Sequence, residues 1–169
     1  MLTNIKTILA VLITALWLTA CGQEGGSASS TTTWQIETAP EEVLSIKDAK
    51  ASAQEGDIVT ITGLIGGKAE GSVTEDSGIF LIVDDSIPTC ADKGDDHCPT
   101  PWDYCCEPRD SLLAGMATVL VQDAAGNPIN LAGLEPMSKV TVSGVVGPRP
   151  DAQVLTITTT GVYVDKPAS

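Results

Sequence analysis

Cys90, His97, Cys98, Cys105 and Cys106 crowd into one segment, residues 86–110, together with Trp102 and Tyr104. Two chemistries suit that set. The first is cross-linking. Four cysteines allow three pairings, and a bond between the neighbours Cys105 and Cys106 is strained. Cys90 and Cys98 would then pair with Cys105 and Cys106 in either order. Each bridge closes a loop of roughly 10–15 residues and stabilises by about 2–4 kcal/mol when unstrained. The second chemistry is metal ligation. Four thiolates, or three with His97 replacing one, are the donors that zinc or copper takes. The spacing is not two CxxC pairs, and adjacency of the last two cysteines constrains a tetrahedron. Thiol redox catalysis fits less well, because CxxC is missing. Acids around the loop (Asp84, Asp85, Asp92, Asp95, Asp96, Asp103) lack EF-hand spacing and read as a solvated surface.

The compartment decides between the two. Lys6 supplies a short positive region, Ile8 to Leu18 an apolar run, and Leu18-Thr19-Ala20-Cys21 the form of a bacterial lipoprotein cleavage box. The run is shorter than the roughly 20 residues a bilayer span needs. Residues 1–20 therefore read as a signal peptide and Cys21 as the lipidated residue. Acyl chains hold firmly, each buried methylene adding about 0.8 kcal/mol. Gly22 after the cysteine suggests sorting to an outer membrane, facing the periplasm. Residues 21–40, rich in Gly, Ser and Thr, read as a tether. Residues 41–169 form one domain of ordinary size. Export favours disulfides among the four remaining cysteines, with metal ligation as the alternative.

The chain carries 22 acidic against 9 basic residues, a formal −13. Cleavage would remove Lys6 and no acid. Such a domain is repelled by phosphate backbones, which argues against nucleic acid as a partner. Aromatic residues make up only 4%, too few for the stacking platforms that single strands need.

The elements that must position the loop read as all-β with one helix. Ser45 to Gly56 is helical, with Ser45 and Asp48 in capping-box positions. Strands follow at 57–65, 79–84, 116–122, 139–147 and 153–164. Val59, Ile61 and Ile65 alternate with threonines, and Val140, Val142 and Val146 repeat that pattern. Gly63 and Gly144 sit at matching places, as barrel bends do. The last strand's apolar set switches from Leu155 and Ile157 to Val162 and Val164, which places a bulge near Thr159 to Gly161. Asp123 to Pro128 reads as a turn, and Gly133 to Ser138 as a short helix or turn. The sum is a small five-stranded Greek-key barrel of OB type, with the cysteine-rich segment inserted between strands 2 and 3.

The stretch from Asp96 to Pro108, with its Cys98-Pro99-Thr100-Pro101-Trp102-Asp103-Tyr104-Cys105-Cys106 core, resembles a segment of a small family of uncharacterised secreted bacterial OB-fold-like lipoproteins. The resemblance covers roughly Leu44 to Lys166 and implies the barrel, with no activity attached. No Ser/His/Asp arrangement stands out, so the chain reads as non-enzymatic. It reads as an envelope module without a cofactor, held to the membrane by its N-terminal lipid and binding an envelope protein or a saccharide through its loops. Trp102 and Tyr104 are the candidate contacts.

Overall fold

A computed structural model describes residues 34–94 and 97–165 of the chain. The signal segment, Cys21 and the tether up to residue 33 lie outside the described residues, as do Asp95, Asp96 and 166–169.

The helix α1 spans Ile46–Ser52. Ser45 Oγ accepts from Asp48 N at 3.0 Å and donates to the Asp48 carboxylate at 2.8 Å. This satisfies one orphan amide of the first turn. A second amide, Lys47 N, donates to buried Asp84 at 3.2 Å. The helix stops at Ala53, not at Gly56, because Ala53 is extended at ψ 147°. The exposed carbonyls there are taken by a distant cation. Arg149 donates from its guanidinium to Lys50 O at 2.8 Å and also to Ala53 O.

The strands are β1 (Gln35–Ile36), β2 (Ile58–Ile65), β3 (Val73–Thr74), β4 (Ile79–Val83), β5 (Met116–Val121), β6 (Lys139–Val146), β7 (Thr156–Thr159) and β8 (Val162–Val164). Their order is β1-β8-β6-β2-β4-β5-β7, and a β6–β7 pairing closes five of them (β6, β2, β4, β5, β7) into a barrel. The all-β, OB-like barrel expected from the alternating residues is therefore present. Val59, Ile61 and Ile65 of β2, and Val140, Val142 and Val146 of β6, all point inward and are buried. They join Phe80, Ile82, Val119, Val121 and Ile157 in one core. Each fully buried side chain of this size contributes about 1.5–3 kcal/mol relative to exposure. Gly63 marks a close crossing: a Cβ there would stand 2.5 Å from Val83 O.

Several details depart from the sequence reading. The last strand is two, β7 and β8. The break at Thr160 and Gly161 lets β7 pair with β5 and β6 while β8 pairs with β6 and β1. This is the expected interruption, made larger than a bulge. The stretch assigned to the tether, 21–40, includes β1, which pairs in parallel with β8. A second helix, α2 (Arg109–Ala114), ends the insertion and leads into β5. Lys50 Nζ donates to Leu113 O at 2.6 Å and joins the two helices. Among the described residues, no helix is long and apolar enough to cross a membrane.

Two predictions test these ties. Replacing Arg149 with Met strands the α1 carbonyls, and charged hydrogen bonds of this kind are worth about 1.5–3 kcal/mol each. Urea unfolding should show a loss of that order, with an unchanged slope. Burial, then the Arg149 charge, pushes Lys50 down from its ordinary 10.5 to about 8, with Asp151 opposing. Between those values the unfolded chain holds a proton that the folded chain has released. Stability should therefore rise as pH increases from about 8 to about 10.5. Lys50→Met should flatten that rise in pH-resolved denaturation curves.

Candidate functional site

The insertion leaves β4 at Val83 and is stitched down residue by residue. Asp84 turns the chain: its carboxylate accepts Ser86 Oγ at 2.6 Å and Ser86 N at 3.0 Å. Burial alone would raise its pKa, but these bonds and the one from Lys47 N hold it below the usual carboxylate value. Next, Thr89 N and Thr89 Oγ1 both donate to Asp92, each at 2.8 Å, while Asp92 N returns to Thr89 Oγ1 at 3.2 Å. This reciprocal turn fixes Cys90 between its two partners.

The second half of the loop folds on Asp103. A 3₁₀ turn covers Pro101–Asp103. Thr100 Oγ1 donates to Asp103 Oδ2 at 2.9 Å, and Cys105 N donates to Asp103 Oδ1 at 2.7 Å. Burial raises this carboxyl, but the Cys105 and Thr100 bonds outweigh it and hold Asp103 low, hence ionised. Tyr104 adopts φ +56°, the left-handed region that a bulky residue enters only under constraint. That conformation reverses the chain so that Cys105 faces back towards Cys90.

Two glycines dock the loop on the barrel. Gly67 N donates to Trp102 O at 2.7 Å, and Trp102 Nε1 donates to Ala69 O at 3.1 Å. A Cβ at Gly66 would stand 2.6 Å from Trp102 O and 2.9 Å from Tyr104 Cε2. Tyr104 itself is buried in a second small core with Val83 and Ile87, flanked by Leu112 and Met116. Its hydroxyl has no hydrogen-bond partner among the described residues. Burial, and then Asp85, Asp92 and Cys90, push its pKa up to about 12. Tyr104 is thus a packing residue rather than a surface contact, and half-buried Trp102 is a clamp.

The outcome is a convergence of donor atoms. Cys90 Sγ, Cys98 Sγ, a carboxylate oxygen of Asp103 and Cys105 Sγ all lie within 4.8 Å of one another. Cys90 and Cys105 sulfurs are 3.6 Å apart, and those of Cys105 and Cys106 are 3.9 Å apart. A disulfide needs about 2.05 Å. A tetrahedral ion with metal–sulfur bonds of about 2.3 Å needs ligand edges of ~3.8 Å. The thiols meanwhile share hydrogen bonds. Contacts with Cys90, then Asp103 and Cys106, hold Cys105 well above the ordinary thiol range.

All four cysteines singled out in the sequence are near one another, but the converging set differs from the one expected. Asp103 completes it, in place of His97 or Cys106. His97 is exposed and outside the set. Asp103 was read only as one of several solvated acids, since its inward turn depends on the Tyr104 backbone. Opposite the thiols, Lys93 pairs with Glu107 and donates to Cys106 O at 3.2 Å. That ion pair raises Lys93, burial opposes, and the charges of Cys106 and Cys90 add to the rise.

Comparison of the sequence with protein-family models and with curated proteins finds no match.

Gly66→Ala should prise the loop from the barrel while leaving the barrel folded. Overpacking of this kind costs about 1–3 kcal/mol. The expected readout is a shifted tryptophan emission, with far-ultraviolet circular dichroism retained.

Proposed function

We propose that this chain is a non-enzymatic, lipid-anchored envelope domain whose inserted loop binds a thiophilic d10 metal ion, with zinc the best fit. The observation that carries the reading is the convergence of Cys90, Cys98, Asp103 and Cys105 donor atoms within 4.8 Å. Three thiolates and one carboxylate are ligands that zinc accepts in tetrahedral sites. Softer Cu(I) shares the preference for thiolates but gains less from the carboxylate. The reading is preferred to a protein or saccharide ligand because it rests on converging atoms rather than on fold analogy. Anchoring through Cys21, with the domain facing the periplasm, is part of the same proposal and rests on the lipoprotein-type cleavage box.

A second reading has its own support. Cys90 and Cys105 sulfurs lie 3.6 Å apart, closer than those of Cys105 and Cys106 at 3.9 Å, so oxidation on export that joined them would leave Cys98 to Cys106. Both pairs belong to a pairing the sequence allows.

One experiment separates the readings. Elemental analysis and non-reducing mass spectrometry are run on the protein purified from the envelope fraction. One zinc or copper per chain, with four thiols alkylated after chelation, is the expected result and also names the ion. Two disulfides and no metal would overturn the metal reading. Asp103→Asn should retain the three thiolates but weaken zinc binding by about tenfold or more, measured by competition with a chromogenic chelator.

A further inference from the structure

Exposure rises steadily across the cysteines: Cys90 is buried, Cys98 half-buried, and Cys105 and Cys106 exposed. An ion held by this set would be reachable from solvent along the Cys105–Cys106 edge. Cys106 is a thiol outside the converging set, with its sulfur only 3.9 Å from that of Cys105. It is also held in place. Its carbonyl accepts Lys93 Nζ at 3.2 Å, and Lys93 is fixed by Glu107.

Resting on the metal reading above, we infer that the loop is a metal-transfer site in which Cys106 is the transit ligand, passing the ion between the inner set and a thiol-bearing acceptor. Tetrahedral zinc can expand to five-coordination. The Cys106 thiol gives its proton to water as its sulfur bonds to the ion at the exposed edge, and the Asp103 carboxylate bond breaks. The ion is then held by Cys90, Cys98, Cys105 and Cys106. Acceptor thiolates add one by one at the exposed edge as the Cys90, Cys98, Cys105 and Cys106 bonds break in turn. The metal keeps its oxidation state throughout. The thiolates released inside take up protons from water. The partner class is a protein or small molecule that offers thiolate ligands in the same compartment.

A ligand used only in transit speeds loading and loss alike and leaves the equilibrium untouched. The test loads the full chain with zinc and follows its loss to excess chromogenic chelator by stopped flow, for the wild type and for Cys106→Ser and Cys106→Ala. The expected result is a rate about tenfold slower in both variants, equivalent to about 1.4 kcal/mol of barrier. Stoichiometry, equilibrium affinity and melting profile should be unchanged. An unchanged rate in loaded protein would overturn the transfer role alone. Parallel loss of affinity would also overturn it, by making Cys106 a resident ligand. Failure of the wild type to load either zinc or Cu(I) would overturn the metal reading itself.

Discussion

The site depends on one close approach of backbone to backbone. The carbonyl of Trp102 lies where a side chain at Gly66 would otherwise stand, and it accepts the amide of Gly67. The loop has no apolar periodicity and, among the described residues, adds no strand to the barrel. Its position comes from this contact, from the Trp102 indole on Ala69 O, and from Tyr104 buried beside Val83 and Ile87. Everything chemical about the loop follows. Tyr104 is buried, and its backbone is held in the left-handed region. That turn brings Cys105 and Asp103 back towards Cys90.

The barrel was legible because its information is local and periodic. Val59, Ile61 and Ile65 alternate with polar neighbours, and burial follows the alternation. Ser45 and Asp48 announce the start of α1 by a capping pair that forms as expected. What could not be read is what depends on distant partners. Arg149 lies far along the chain from α1, and no local pattern says that it binds α1 carbonyls. The helix α2 starts after Pro108 without a side-chain cap and spans less than two turns, so it leaves little trace. Asp103 is one acid among many in sequence, and only the fold selects it. Cysteine clustering was visible, whereas the choice among cysteines was not.

Asp84 joins these two kinds of information. It is buried, it ends β4, and it caps both the start of the insertion at Ser86 and the first turn of α1 at Lys47. Lys50 then connects α1 to α2 at the far end of the same insertion. The helix therefore acts as a splint between the two ends of the loop. It is a small element whose caps matter more than its length, since an isolated helix this short is not stable in water.

The order of the strands also has a mechanical side. Any pull on the N-terminus is received by β1, which holds β8 through a parallel pairing of only two residues. Between that edge and the strands that carry the insertion stand β6 and β2, joined by the longest ladder in the sheet. Under load the two-residue pairing is the fuse. It can give way and release β1 while the seven paired positions of β2 and β6 keep the barrel, and with it the cysteine loop, intact.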